Sequence, residues 1–200
     1  MPTQRTIDTY TFDELDDAAK ERAREWWRRV GEGDDFWSEW PLDDAKAVLK
    51  LIGFTIDRIY YSGFWSQGDG ACFEGAWSAA NVNATALKAY APVDKELHRI
   101  ADAVQAFAVR YPGAFLTVKH RGHYYHQYET VFTVQAFDNE DNEIDVDEQP
   151  IIDAARDAME WIYRQLKATY EYKDADAQVD DTIRANEYEF TKEGKRSVTL

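Results

Sequence analysis

The stretch from Tyr60 to Gly75, YYSGFWSQGDGACFEG, places four glycines around two adjacent aromatic residues, Phe64 and Trp65. Glycine permits positive φ and close backbone approach. Such a loop can therefore hold Trp65 out as a flat platform while backbone N–H groups, Ser66, Gln67 and Asp69 turn toward a ligand. A planar, polar molecule suits that arrangement. The alternative is a tight turn at Asp69 and Gly70, with Gly63 or Gly75 marking a bulge and both rings folded inward. The spacing matches neither a Walker phosphate loop, which needs its lysine, nor the dinucleotide fingerprint.

A second group, His120, His123 and His126, lies beside Tyr124, Tyr125, Tyr128 and Glu129. Three histidines in seven residues invite a metal reading. On a continuous strand, however, side chains alternate, so His123 and His126 point to opposite faces and no metal site is assigned. His126 with Tyr125 remains a candidate for binding a polar group, because imidazole and phenol both hydrogen-bond. Asp69 or Glu74 with His126 would form an acid/base pair if the two segments adjoin. No serine elbow, cysteine–histidine pair or paired carboxylates stand out, so no catalytic residue and no cofactor are assigned. The acidic run Asp138 to Glu143 lacks the glycine and bidentate glutamate of a calcium loop and reads as a polar turn.

The elements that must position these residues follow from periodicity. A strand-like segment, Arg5 to Tyr10, precedes Thr11 to Glu14, a capping-box pattern that predicts a helix start. Leu15, Ala18, Ala19, Ala23, Trp26, Trp27 and Val30 repeat at helical spacing until Gly31 and Gly33. Ser38 is placed to cap a second helix, with Pro41 in its first turn, Leu42, Ala45, Leu49 and Ile52 facing inward and Gly53 as its C-cap. Residues 54–61 and 71–78 read as a hairpin. Pro92 opens a helix that ends before Pro112 and Gly113. Segments 115–120 and 123–137 read as extended, joined by a tight turn at Arg121 and Gly122. Pro150 begins a long helix through Tyr170, and after an acidic tail a last hairpin is expected from 187–190 and 197–200. The sum is an α+β fold with a mainly antiparallel, hairpin-built sheet against about four helices, in a single domain. Trp26, Trp27, Trp37 and Trp40 read as helix-packing residues, or as an exposed partner-binding patch.

The 200 residues carry 38 acids against 23 bases, a formal charge of -15. That field repels phosphate backbones and argues against generic nucleic-acid binding. It leaves open a basic protein surface, or solubility alone. No stretch approaches the roughly 18 consecutive apolar residues of a membrane span. The single cysteine, Cys72, cannot form an internal disulfide and reads as a small buried hydrophobe, which together point to the cytoplasm.

Tyr10 to Leu15 with Ala19 and Lys20, the block Ser62 to Gly75, the triplet Tyr124, Tyr125, His126 and the closing Asn186 to Phe190 resemble a set of uncharacterised phage and prophage proteins. Those proteins share an FWSQGDG core, and some are loosely labelled antitoxin-like. The resemblance implies a context, the bacterial host cytoplasm, and no catalytic residues. Three functions are expected to compete. The first is a non-enzymatic protein that modulates or antagonises a host or defence protein. The second is a binder or sequesterer of a small nucleotide-type ligand through Trp65, Ser66, Gln67 and Asp69 with Tyr125 or His126. The third is a hydrolase at the same place.

Overall fold

Four strands rich in β-branched and aromatic residues form one antiparallel sheet in the order β1-β2-β3-β4: β1 (Ile52–Tyr61), β2 (Ala71–Val82), β3 (Phe115–His120) and β4 (Thr130–Gln135). This computed structural model describes residues 8–31, 35–140 and 142–197. Among the described residues six α-helices complete it: α1 (Asp17–Gly31), α2 (Glu39–Lys50), α3 (Ala84–Tyr90), α4 (Lys95–Arg110), α5 (Gln149–Asp174) and α6 (Asp176–Ala185). The α+β class and the antiparallel sheet expected above are what is found. The chain divides into two compact units, residues 39–167 and residues 1–38 with 168–200.

In the 39–167 unit the strand order is a meander interrupted once, between β2 and β3, by α3 and α4. One face of the sheet, with Phe73, Trp77, Leu116 and Val118, is buried under helices. Trp77 meets Phe107 of α4 at 5.8 Å between ring centroids, and its indole N–H donates to the Ile52 carbonyl at 2.8 Å, so its one polar atom is answered inside the core. Asp94 caps α4 through Leu97 N–H (2.9 Å) and also accepts the Trp161 indole N–H (2.9 Å), which ties α5 to the start of α4. Ion pairs Arg99–Asp157 (2.8 Å) and Arg164–Glu96 (2.9 Å) line the same seam. The other sheet face carries exposed Arg58, Ala76, Lys119, Val131 and Thr133. Opposite Gly75 the register slips between Ile56 and Arg58, a bulge at Asp57, as the glycine-marked alternative anticipated.

In the other unit, Tyr10 and Phe190 exchange backbone hydrogen bonds (2.8 and 2.9 Å), and Phe12, Leu15, Ala19, Ala23, Val179, Ile183 and Phe190 form the core. Trp26 and Trp27 are half-buried against it, and Trp37 meets Tyr170 at 5.5 Å. Trp40, on α2, is exposed.

Several local expectations change. The Glu14 carboxylate does accept both the N–H and the hydroxyl of Thr11 at 2.8 Å, which holds it below the usual carboxylate range. It closes only a single 3-10 turn, Phe12–Glu14, and α1 begins at Asp17, where Asp16 accepts Ala19 N–H at 2.8 Å. Gly53 is a residue of β1 and not a helix cap. Pro92 precedes α4 by three residues, and its capping residue is Asp94. The extended run 123–137 is broken: residues 121–129 are irregular and only 130–135 pair with β3. The acidic tail contains α6, and the terminal hairpin is a tight turn closed by a Phe190–Arg196 bridge. Residues 5–7, Gly33, Asp141 and 198–200, included in the expectations above, lie outside the described residues.

Candidate functional site

Topology brings the two chemically interesting segments together. In an antiparallel order β1-β2-β3-β4, the β1–β2 and β3–β4 connections leave the sheet at the same end, so loop 62–70 and loop 121–129 must be neighbours. They touch through Gly68, which faces the Tyr124 ring, and through Gly70, where an added Cβ would lie 2.9 Å from the His126 ring and 3.0 Å from the Tyr125 carbonyl.

Loop 62–70 is fixed from within. Ser62 N–H donates to the Gly70 carbonyl (3.1 Å), and Ser62 Oγ accepts Gly70 N–H (3.3 Å). The Asp69 carboxylate accepts the N–H groups of Trp65 (2.9 Å) and Ser66 (2.6 Å), closing the turn over itself. The two aromatic rings then part. Phe64 turns inward, 9% exposed and 5.5 Å from the Tyr163 ring, whereas Trp65 is 69% exposed with the Lys167 ammonium 4.8 Å from its ring centroid. Tyr163 O–H donates to the Gly63 carbonyl at 3.2 Å, and burial with nearby Asp69 and Glu160 pushes its phenol upward in pKa.

Loop 121–129 is held from both sides. Tyr125 stacks on Tyr60 (5.3 Å, 26°), and Tyr60 O–H donates to Glu74 at 2.9 Å, a bond to a carboxylate that raises the phenol's pKa. Glu74 also accepts His120 N–H at 3.3 Å, and the Arg58 guanidinium lies 4.6 Å from the Tyr60 ring. Toward α5, Gln127 donates to Glu160 (3.2 Å), and Tyr128 lies under the Arg156 guanidinium at 5.2 Å. His126 stacks on Tyr128 (5.3 Å, 20°), with its Nδ1 accepting Tyr128 N–H at 3.4 Å.

Both loops therefore rest on one stripe of α5, Arg156, Glu160, Tyr163 and Lys167, at spacings of four, three and four. The eleven helical steps from Arg156 to Lys167 span roughly 16 Å, which sets the length of the shared edge. The stripe went unread in the sequence, although its period differs in phase from the buried Ile151, Ala155, Ala158, Ile162 and Leu166. Along this edge four rings are exposed: Trp65, Tyr124 (54%), Tyr125 (38%) and Tyr128 (68%).

The six expected ligand residues thus separate by role. Ser66 and Gln67 are exposed at the tip with Trp65, while Asp69 is engaged by its own loop. Tyr125 and His126 are in the adjoining loop, each stacked on a neighbour. His123 and His126 lie in a folded loop and not on the strand assumed for them, His120 closes β3 as expected, and no group of three or more metal-ligating side chains is found among the described residues.

Cys72 is fully buried, and that burial, with Glu74 and Glu129 adding negative charge, pushes its thiol up to about 12. A thiol kept neutral in the folded state contributes stability that is complete below its ordinary value near 9 and is lost as pH rises toward 12. Wild-type stability, followed by urea unfolding, is therefore expected to fall more steeply over that window than that of Cys72→Ala. At pH 8 the native thiol is expected to resist alkylation until the chain is unfolded.

Residues 37–176 match the model of a family described as a domain of unknown function, DUF8835. The chain belongs to that family, and both loops with their supporting stretch of α5 lie inside the matched residues. No curated protein and no solved structure matches the chain. No helix among the described residues is long and apolar enough to cross a membrane.

Proposed function

We propose that this is a non-enzymatic binding protein that docks on another protein through the two-loop edge, with Trp65 as the central anchor and Tyr124, Tyr125 and Tyr128 beside it. The carrying observation is the contrast at positions 64 and 65: Phe64 is buried as a peg, while Trp65 stays 69% exposed on a backbone held by Asp69. Large aromatic side chains presented on a rigid backbone are the usual dominant contributors at protein interfaces, because little entropy is lost when they are covered. The rings lie along an open edge, which suits a broad partner better than a small ligand that a pocket would have to enclose. A hydrolytic reading is weakened by the same bonds: Asp69 is occupied by two backbone N–H groups and His126 Nδ1 by Tyr128. Resemblance to phage and prophage proteins supplies the context, in which the partner is a bacterial host or defence protein and the chain's excess of acids favours a basic face on it.

Capture from bacterial lysate at low salt, on immobilised full chain and on Trp65→Ala side by side, tests this reading. A partner held by the wild type, released by salt and missing from the variant is the expected result. Recovery of identical proteins by both, or of none by either, counts against it.

A further inference from the structure

Helix α1 presents three stripes with different surroundings. Ala19 and Ala23 are fully buried. Arg24 and Arg28 are neutralised, Arg24 by Asp180 at 2.7 Å and Arg28 by Asp176 at 2.6 Å. The third stripe, Arg22, Trp26 and Arg29, lines a cleft whose opposite wall is Gly194, Lys195 and Arg196. Four cations there face a single carboxylate, Glu25, in a chain where acids outnumber bases 38 to 23.

Two of the cleft's cations, Arg22 and Arg196, are positioned by neutral groups. Gly194, at φ +77°, lies so close to α1 that a Cβ would sit 2.1 Å from the Ala19 carbonyl, which sets the turn directly on the helix. Arg22 Nε donates to the Glu193 carbonyl at 2.5 Å. Arg196 donates to the carbonyls of Glu189 (2.8 Å) and Ser197 (2.6 Å), and its guanidinium lies 4.8 Å from the Tyr188 ring and 5.8 Å from the Trp26 ring. Neutral oxygens and ring faces thus orient both guanidinium groups. The turn's own acid, Glu193, accepts the Thr191 hydroxyl at 2.9 Å, and that bond, with Lys195 and Lys192 nearby, holds it below the usual carboxylate range. The side chains of Arg29 and Lys195 are exposed and make no hydrogen bond or ion pair among the described residues, nor does that of Glu25, while the Lys195 carbonyl accepts Thr191 N–H at 2.8 Å.

We propose that this cleft is a binding site for an oligophosphate group, a second site distinct from the aromatic edge. Four lining cations less Glu25 and the neighbouring Glu193 leave a net charge of +2, which favours a multiply charged di- or triphosphate, and the planar guanidinium forks suit paired phosphate oxygens. Its lining residues, Arg22, Glu25, Trp26, Arg29 and Gly194 to Arg196, fall outside the matched residues 37–176.

Calorimetric titration of the full chain with inorganic tripolyphosphate at low ionic strength, against sulfate, is the test. Saturable one-to-one binding at least about tenfold tighter than for sulfate is expected. The Arg29→Gln/Lys195→Gln double variant removes two side chains that hold nothing else in place and is expected to weaken binding on the order of 10- to 100-fold with an unchanged circular dichroism spectrum. Lys119→Gln/Arg121→Gln, a cation pair on and beside β3, is expected to bind as the wild type does. The proposal is overturned by an absence of saturable binding, by unchanged affinity in the first double variant, or by equal loss in both.

Discussion

The Gly75→Ala protein is expected to lose roughly 3–4 kcal/mol of stability, a large part of the 5–15 kcal/mol typical of a folded domain. Gly75 sits at φ +155°, and a Cβ there would lie 2.1 Å from the Thr55 carbonyl, so backbone and not a yielding side chain stands in the way. Relief requires the bulge at Asp57 to open, and that bulge sets the pairing of Arg58 with Glu74 and of Tyr60 with Cys72. A one-residue slip would turn Tyr60 and its Glu74 bond to the wrong face, and with them the stacking that holds Tyr125. Urea unfolding reads the result as a lowered midpoint with little change in slope. A midpoint equal to that of the wild type would show that the bulge does not constrain the hairpin.

For Trp65→Ala the expected effects are reversed: stability stays close to wild type, and partner affinity falls by about 30- to 1000-fold, the range of an interface anchor. An indole that is 69% exposed has little burial to lose in the free protein, and its backbone N–H bond to Asp69 survives the substitution. Asp69→Ala separates presentation from contact. It removes the acceptor for Trp65 and Ser66 N–H groups while leaving every exposed ring in place, so affinity should fall by a smaller factor, about tenfold, through loss of preorganisation. Surface plasmon resonance against the captured partner distinguishes the two. Full affinity in Trp65→Ala would remove the anchor from the account.

The sheet was legible where composition and alternation agreed: residues 54–61 and 71–78 sit within β1 and β2, because β-branched and aromatic residues there fill a half-buried, pleated surface. The same preference misled at YYHQY, where tyrosines that looked like strand residues serve as stacking partners for Tyr60 and the Gly68 backbone in an irregular loop. Helix α3 has only seven residues, too few for a helical period to declare itself, and α6 carries only Val179 and Ile183 as its buried anchors among acids. At the site, Trp65 could be singled out from its glycine surroundings, but the division of roles between Phe64 and Trp65 depended on Tyr163, a hundred residues further on than Gly63. Asp69 closes its own turn through two backbone N–H groups, a local use that residue type alone does not distinguish from contact with a ligand. The adjacency of the two loops followed from strand order alone, once the meander was known.

The most direct measurement of the two-loop edge as a recognition surface is site-specific photo-crosslinking inside bacterial cells. A crosslinker at Gln67, exposed beside Trp65, is compared with one at Asn81, exposed near the opposite end of β2. A discrete crosslinked partner from position 67, lost when Trp65→Ala is added and not formed from position 81, is the predicted result. An equal adduct from both positions, or one from position 67 that persists without the indole, would contradict it.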